Sequence, residues 1–436
     1  MKILFLTAHL PCPPASGGRR REFELVRRLG EKFEIHLCSL TASPEIDSIY
    51  AKYLKPYCRG LSILKVAATP SCLDKYSNRN NYSFLMKKYY SEEGIYEISF
   101  LLKDHFFSVV HVEGYYLMQL LPSTLNIPIL LVEHNIEYLL DLQRFLLSKS
   151  STSNGRFCLW QEYYRTFLWE RRAWNVASKI VTLTKEEEIT VRRLEPNIDV
   201  VTIPNGIDHK LSINNSLESL SSNNNNNNNN NSKNNNNHNI RKHDSTSSRI
   251  HHNIPSILFV CNFAYDPNVD AALYFVTEIF PIILKQVPNV RLFLVGSSPT
   301  TEIRQLAFPK HSHIEVTGYV NSLDPFYRAS TVVVCPLRIG GGVKVKLLEA
   351  IRAGKAIVTT SVGAQGLNIS DNRALCVSDK KLEFAKIVIK FLKDPEARYQ
   401  QEKKALRFSK NLPGWDQVID EYVCCYNKMI PIVAKS

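Results

Sequence analysis

The segment at residues 336–360, PLRIGGGVKVKLLEAIRAGKAIVTT, has the residue types of an anion-binding loop. Gly340, Gly341 and Gly342 follow a short apolar run and precede a stretch with helical spacing of apolar residues. Glycines let a backbone come close to a ligand, and the free N–H groups at the start of a helix attract anions. The pattern therefore predicts that this loop contacts a phosphate group.

Three basic residues crowd the same helix start, namely Arg338, Lys344 and Lys346. Because the helix dipole disfavours cations at this end, the cluster indicates that a diphosphate shares the site. The alternative is a solvated basic turn in which Glu349 pairs with Lys346 or Arg352, a contact worth roughly a few tenths of a kcal/mol.

A second glycine pair, Gly17 and Gly18, lies in PASGGRRR (residues 14–21), directly after the first apolar run. The same argument predicts a phosphate or sugar contact at the start of the following helix. The alternative is an ordinary tight turn between a strand and a helix.

His134 lies in VEHNIE, at the end of a predicted buried strand and between Glu133 and Glu137. A histidine in this position can orient a substrate hydroxyl or stabilise developing charge near neutral pH. The alternative is a hydrogen-bonded loop histidine without a chemical role.

Asn205 and Gly206 form an Asn-Gly turn in IPNGID (residues 203–208). Most such turns only reverse the chain. This one stands at the edge of the first predicted domain, where it would face a neighbouring domain, so it is a second candidate for ligand contact.

The aromatic and basic stretch at residues 160–174, WQEYYRTFLWERRAW, has the composition of a surface that stacks on nucleic-acid bases. Its helical spacing favours another interpretation. We expect a core-facing stripe with a charged back, formed by Trp160, Tyr164, Phe167, Leu168 and Arg171.

Short apolar runs with helical stretches between them must position these residues. Their apolarity is nearly continuous rather than alternating, which is typical of parallel strands covered by helices on both faces. The runs lie at 2–8, 33–40, 60–67, 108–114, 128–135, 179–184, 199–205, 256–262, 290–296, 313–320, 330–337, 355–360 and 374–378. The sequence predicts an α/β protein with two doubly wound, Rossmann-like domains facing across a cleft, where strand-end loops bind the ligand.

An Asn-rich tract separates the two series of runs and contains an unbroken run from Asn223 to Asn231. It has no apolar period that could build a core, so we expect a disordered linker. At roughly 150 residues per domain, 436 residues allow two or three domains. We expect a first domain at 1–211, the linker at 212–254, a second domain at 255–411 and a terminal helix at 412–436 that returns to the first domain.

The net charge of +13 suits an anionic partner. The ten cysteines have no CxxC pair and no Cys/His ligand spacing, which argues against a zinc site and favours a reducing, cytoplasmic location. The first apolar run is too short for a signal peptide, and we expect no apolar stretch of membrane-spanning length.

Seven motifs together carry a family resemblance. They are SGGRRRE (16–22), EHN (133–135), VTIPNGID (201–208), YDPNVDA (265–271), GYV with DPFYRAS (318–330), GGGVKVKLLEAIRAG (340–354) and SVGAQGL (361–367). In this order they resemble the retaining GT-B glycosyltransferases of the family-4, or "group 1", type. Within that type the sequence is most similar to bacterial-type sugar transferases with the PLRxGGG variant.

The resemblance implies a hexosyltransferase-like enzyme that uses a nucleotide sugar, UDP- or GDP-linked, with retention of configuration and without a metal or other cofactor. The donor would bind mainly the second domain, and a glycan, lipid or small-molecule acceptor the first. The resemblance makes His134 the catalytic residue beside the reacting sugar and Glu349 the partner of the nucleotide ribose. Gly17 and Gly18 would approach the donor phosphates or the acceptor.

Two departures from the family pattern stand out. The first acid of the family's E-x7-E motif falls on Gly341, and the loop CNFAYDPN (261–268) lacks the usual Arg and Lys that hold the diphosphate. We expect Arg338, Lys344 and Lys346 to supply that charge. The alternative function is a catalytically inactive GT-B-like binding protein. No nucleic-acid module is recognisable, and a peripheral membrane contact and the oligomeric state stay open.

Overall fold

The computed structural model describes residues 1–14, 16–67, 81–148, 153–207, 254–307, 313–367 and 374–430. The predicted linker at 212–254 lies outside these residues, apart from residue 254.

The first domain is built on a seven-stranded sheet in the order β3-β2-β1-β4-β5-β6-β7. Its strands are β1 (Lys2–Thr7), β2 (Glu34–Thr41), β3 (Gly60–Lys65), β4 (Val109–Glu113), β5 (Ile129–Glu133), β6 (Lys179–Thr182) and β7 (Val200–Thr202). All neighbouring pairs are parallel, and Leu4 of β1 lies opposite His36 of β2 and Val110 of β4. Each predicted run of this half overlaps one strand.

The second domain has a six-stranded parallel sheet in the order β10-β9-β8-β11-β12-β13. Its strands are β8 (Ser256–Val260), β9 (Arg291–Val295), β10 (Ile314–Gly318), β11 (Val332–Cys335), β12 (Ile357–Thr359) and β13 (Cys376–Val377). In both sheets the strand order reverses beside the first strand of the domain, which is where open α/β sheets bind ligands.

Helices cover both faces of the sheets. In the first domain they are α1 (Gly17–Leu29), α2 (Pro44–Ala51), α3 (Phe84–Lys88), α4 (Glu92–Asp104), α5 (Glu137–Leu147), α6 (Ser153–Val176) and α7 (Lys185–Leu194). In the second they are α8 (Asp266–Tyr274), α9 (Phe280–Gln286), α10 (Thr301–Gln305), α11 (Asp324–Ala329), α12 (Val345–Arg352), α13 (Ser361–Ala364), α14 (Lys381–Lys393) and α15 (Pro395–Ser409). The last helix is α16 (Trp415–Met429).

Burial on both faces explains the continuous apolar runs. In β1, Leu4 and Leu6 belong to one apolar cluster, whereas Ile3 and Phe5 belong to another. Because successive side chains of a strand point to opposite faces, both sets must be apolar when helices cover both sides.

Helix α16 follows the second domain in the chain but packs against the first. Val418, Tyr422 and Tyr426 are fully buried in the same cluster as Ile3 and Phe5. A parallel bridge between Ile207 and Gly414 brings the two segments together just before the helix begins.

Several side chains of α6 that were predicted to face the core are exposed. The predicted core-facing stripe is wrong for Trp160, Tyr164 and Leu168, whose exposed fractions are 45%, 48% and 37%. Phe167 does pack against the core, and the fully buried Trp174 lies there as well. The helix has apolar residues on two faces, so its spacing alone does not identify the buried one.

A second expectation is also corrected. The helical stretch Asp266–Gln286 is long and apolar enough to qualify as a membrane span by composition. Half of its apolar window is buried, and Phe275, Ile279 and Ile283 lie in the core of the second domain.

The nine cysteines among the described residues are all free thiols.

Candidate active site between the two domains

Polar side chains from several elements of the first domain converge where its strand order reverses. His9 follows β1, Glu113 ends β4, His134 follows β5, and Glu22 lies on α1. Glu113 Oε2 is 2.6 Å from His134 Nε2, and Glu22 Oε1 is 3.8 Å from the same nitrogen. Glu22 Oε2 is 3.4 Å from His9 Nε2. We call these four residues the His-Glu cluster.

A buried hydrogen-bond chain connects this cluster to the last helix. His111 Nε2 lies 2.7 Å from Glu113 Oε1, and His111 Nδ1 lies 2.6 Å from the Tyr426 hydroxyl. Burial lowers the pKa of His111, so the ring is neutral and has one N–H. Because an ionised Glu113 can only accept, His111 donates through Nε2 and accepts from Tyr426 at Nδ1.

The pKa values of the two carboxyl groups in the cluster are shifted in opposite directions. Burial alone would raise the pKa of Glu113, but the neighbouring His134 and the hydrogen bond from His111 outweigh it and hold the pKa well below its usual range. Burial, and then the charge of Glu113, raise the pKa of Glu22 well above its usual range. Burial also lowers the pKa of His9 to about 3. A pair separated in this way can supply one charged and one protonated carboxyl group at the same pH.

Two polar atoms of the cluster, His9 Nε2 and Glu22 Oε2, are buried without a hydrogen-bond partner among the described residues. Buried polar atoms are almost always hydrogen-bonded in proteins, so the cluster is suited to a polar ligand.

Glu22, Glu113 and His134 could also hold a metal ion, since their ligand atoms lie within 4.8 Å of one another. Two ligands of a tetrahedral zinc ion, with bonds of about 2.0 Å, lie about 3.3 Å apart. The 2.6 Å between Glu113 and His134 is shorter than that. A shared proton fits this pair better than a shared metal.

The glycine loop of the second domain contacts the first domain directly. Gly340 N donates to Gln143 Oε1 over 2.9 Å, and Gly342 has a positive φ of 61°. A Cβ atom at Gly342 would lie 2.6 Å from the His134 carbonyl oxygen. At Gly341 it would lie 3.1 Å from Asn135 Oδ1. A glutamate at position 341, where the family pattern has one, would therefore need the Asn135 and Leu140 side chains to shift by a few tenths of an ångström.

The three basic residues around the loop all have partners within the chain. Lys344 Nζ donates to the Gly341 and Gly342 carbonyls at 2.7 and 2.8 Å. Arg338 pairs with Asp270 and lies over the Tyr274 ring. Lys346 Nζ donates to Asn268 Oδ1 over 2.6 Å. The three thus have different partners, and Lys346 is close enough to Lys344 to help lower the pKa of Lys344, which lies within the loop itself.

Glu349 forms an ion pair across the domain boundary. Its Oε1 accepts from Arg20 of α1 over 2.7 Å, and the Tyr327 hydroxyl donates to its Oε2 over 3.3 Å. Glu349 therefore has a partner in the first domain, which the alternative interpretation, a pairing with Lys346 or Arg352 on the same helix, did not include.

The glycines of the first domain have different surroundings. Gly17 and Gly18 begin α1, and a Cβ atom at Gly17 would lie 2.9 Å from Val345 Cγ2 of the second domain. Nothing lies within 4 Å of a Cβ atom at Gly18. Gly17 thus allows the two domains to approach, whereas Gly18 faces open space.

The Asn-Gly turn holds the last helix in place. Asn205 Oδ1 accepts from Arg21 Nη1 over 2.8 Å, and Arg21 Nη2 donates to the Tyr422 hydroxyl over 2.7 Å. A Cβ atom at Gly206 would lie 2.6 Å from Trp415 Cδ2, so only glycine fits there.

Glu349, Gly17, Asn205 and Gly206 line one cavity between the domains. Its volume is ≈ 30 Å³, which is space for about two or three water molecules. A larger ligand therefore requires the domains to move apart and the contact between Arg20 and Glu349 to break.

The sequence pointed to His134 and Glu349, but not to Glu22, Glu113 and His9, which surround His134 in the structure. The missed residues are polar positions at the ends of apolar runs or at the start of α1. Polar residues at the carboxyl ends of parallel strands were the signal that could have identified Glu113 and His9.

Comparison with known proteins supports this architecture. Residues 254–394 match the family profile described as "Glycosyl transferases group 1". A curated relative from Klebsiella pneumoniae, described as an uncharacterized 44.6 kDa protein in the cps region, is 25% identical over 151 residues. The alignment covers 33% of this chain and 38% of that relative.

Solved structures match over nearly the whole chain. Sucrose-phosphate synthase from Thermosynechococcus elongatus has a TM-score of 0.69 at 14% identity and covers 98% of this chain and 99% of its own. WaaG, a glycosyltransferase involved in lipopolysaccharide biosynthesis, has a TM-score of 0.59 at 14% identity with full coverage of both chains. HepE from Anabaena, in complex with UDP-glucose, has a TM-score of 0.59 at 11% identity and covers 98% of this chain and 100% of its own.

At these identities the likeness concerns the fold, and it confirms the prediction of two parallel-sheet α/β domains. The chain therefore has the GT-B fold, and its residues 254–394 are similar to the glycosyl transferases group 1 family.

Proposed function

We propose that this protein transfers a sugar from a nucleotide-sugar donor to an acceptor hydroxyl. The observation that carries the proposal is the contact between the glycine loop of the family-matched domain and the residues around His134. It brings a candidate phosphate-binding loop to a cluster of buried carboxylates and imidazoles.

The donor nucleotide would bind the second domain, beside α12. HepE, which has the same fold, binds UDP-glucose, which supports a UDP- or GDP-linked donor here. Glu349 would accept from the ribose hydroxyls after leaving Arg20, and Lys344 with the loop N–H groups would hold the diphosphate. Arg338 is a weaker candidate, since Asp270 already neutralises it.

The reaction would proceed with retention of anomeric configuration. The acceptor hydroxyl attacks the anomeric carbon from the face that the nucleotide leaves, through an oxocarbenium-like transition state. The bond to the diphosphate oxygen breaks, the new bond to the acceptor oxygen forms, and the departing diphosphate oxygen takes up the proton of the acceptor hydroxyl. The charge that develops on the diphosphate would be stabilised by Lys344 and by the start of α12, so no metal is needed.

His134 and its neighbours would act on the sugar and the acceptor. His134 would hydrogen-bond the transferred sugar, positioned by the ionised Glu113. Glu22 and His9 would form the acceptor side of the cluster, where their unsatisfied atoms can hold a hydroxyl. The acceptor would be a glycan, a lipid or a small molecule.

A second function, that of an inactive binding protein, is favoured by one observation. Position 341 lacks the first acid of the family motif, and the loop there packs on Asn135 and Leu140. Such a protein would bind the nucleotide without turning the donor over.

Release and transfer of sugar from UDP- and GDP-sugars labelled in the sugar would distinguish the two functions. We expect turnover by the full chain and a loss of about 100-fold or more in His134→Gln. His105→Gln, which alters a partly exposed histidine on the far side of the first sheet, is the matched control and should keep full activity. Nucleotide binding without turnover would support the inactive protein, and equal turnover by His134→Gln would refute its role.

A further inference from the structure

An aromatic stripe covers the outer face of the first half of α6. It consists of Phe157, Trp160, Tyr164 and Leu168, and 37% to 55% of each residue is exposed. Their spacing of three, four and four residues places them in one row along the helix. Large apolar side chains that stand together at a surface, unlike single exposed ones, mark an interaction site.

The rings of this aromatic stripe are already ordered against one another. Phe157 and Trp160 stack with centroids 6.1 Å apart, and Trp160 and Tyr164 with centroids 5.8 Å apart and an interplanar angle of 5°. The apolar surface continues onto the end of α5, where Leu146 and Leu147 are 66% and 45% exposed. A contact between Arg156 and the Phe145 ring joins the two helices at this point.

Basic residues flank the aromatic stripe. Arg156 and Arg172 are exposed, and Arg165 is half-buried near Lys87 of α3. Arg165 contributes, after burial, to a lowered pKa of Lys87, as expected for two cations close together. The Glu162 carboxylate lies near both cations and partly offsets their charge.

The acidic residues of α6 face the protein instead. The Glu162 carboxylate accepts from the Phe84 N–H, and Glu170 accepts from the Glu137 and Tyr138 N–H groups over 2.8 and 3.0 Å. The helix therefore presents aromatic and aliphatic side chains with positive charge beside them, while its negative charge is used to hold α3 and α5.

We propose that the aromatic stripe docks on the surface of an anionic lipid bilayer. Aromatic side chains favour the interface between headgroups and acyl chains, and neighbouring arginines bind lipid phosphates. A nucleic-acid partner fits less well, because the rings stack on one another and the exposed leucines add aliphatic surface that bases do not need.

The docked orientation would bring the cleft close to the bilayer. Helix α5 ends at this surface, and its Gln143 also contacts the glycine loop at Gly340. The proposal does not depend on sugar transfer, since it concerns a surface outside the His-Glu cluster.

Co-sedimentation of the full chain with vesicles tests the proposal. We expect binding to vesicles of phosphatidylcholine and phosphatidylserine, and much weaker binding to phosphatidylcholine alone or at high salt. The triple variant Phe157→Ser/Trp160→Ser/Tyr164→Ser should bind about tenfold more weakly or less. Tyr96→Ser/Phe100→Ser is the matched control, because it removes two exposed aromatics from α4 in the same domain and should bind as the unaltered protein does.

A charge variant, Arg165→Gln/Arg172→Gln, keeps the test valid if the triple variant fails to fold. It should reduce binding to anionic vesicles and leave binding to neutral ones unchanged. The proposal is overturned if the unaltered chain does not bind anionic vesicles, or if the triple variant binds them as tightly as the unaltered chain. It is also overturned if the aromatic stripe instead mediates a dimer or RNA binding. Nucleotide binding without vesicles should be the same for all variants, so a failure here is distinct from a failure of the proposed function.

Discussion

Lys344 is the residue whose charge state should control donor binding. Burial lowers its pKa to about 8, although Cys335 and Glu187 partly oppose the shift. A diphosphate interacts with the protonated form. Above pH 8 the free protein must take up a proton before it binds the donor, and this uptake weakens affinity as pH rises.

We therefore expect the Kd for a nucleoside diphosphate to be flat from about pH 6.5 to 7.5 and to rise by up to tenfold per pH unit above pH 8. Calorimetric titrations across this range measure the slope. In Lys344→Gln the affinity should be weaker at neutral pH and the slope absent. A slope that persists in Lys344→Gln would assign the titration to another group.

At the residue scale, the sequence identified single positions but not their arrangement. His134 and Glu349 each stood out within one motif. The His-Glu cluster comes from positions 9, 22, 113 and 134, which only the strand order brings together. Glu349 illustrates the same limit, since its partner Arg20 lies 329 residues away in the chain.

Loss of helix α16 should destabilise the first domain, although the helix follows the second domain in the chain. Val418, Tyr422 and Tyr426 fill a core of the first domain, and Tyr426 also ends the hydrogen-bond chain to Glu113. Removing it exposes Ile3 and Phe5 and leaves Arg21 without its Tyr422 partner.

Truncation after Asn411 should therefore destabilise the first domain selectively. Hydrogen exchange should show faster amide exchange in β1 and β4 than in β8 and β11. Tyr426→Phe is a milder variant that keeps the packing and removes one buried hydrogen bond, at a cost of about 1 kcal/mol or more in the free energy of unfolding. Faster exchange confined to the second domain would contradict this account.

At the element scale, the strands could be predicted because burial on both faces makes the apolar runs continuous. The orientation of α6 could not be predicted in the same way. Its outward aromatic stripe and its inward residues such as Trp174 share the helical period, and only the position of the sheet distinguishes them.

The two-domain chain should not need its Asn-rich tract. The tract has no apolar period, and each doubling of a flexible connection costs only about 0.6 kcal/mol. Deleting residues 214–250 should leave the Tm and donor turnover unchanged within error. A glycine–serine replacement of equal length is the control for linker length. A large loss in the deletion that the replacement does not restore would show that the tract itself folds or binds a partner.

At the scale of the whole molecule, the central claim is that the cleft between the two domains opens to bind a nucleotide-sugar donor. Glu349 pairs with Arg20 beside a cavity of ≈ 30 Å³, so a donor must separate the domains before Glu349 can hold its ribose. The two side chains can be altered separately. Glu349→Gln removes the carboxylate charge, whereas Arg20→Gln releases the carboxylate from its partner.

The most direct measurement is calorimetric titration of UDP and GDP, and of their sugars, into the unaltered protein and these two variants. We predict binding to the unaltered protein, affinity weakened about tenfold or more in Glu349→Gln, and affinity unchanged or tighter in Arg20→Gln. No binding to the unaltered protein, or equal affinity in a folded Glu349→Gln protein, would contradict the claim that this cleft binds a nucleotide-sugar donor.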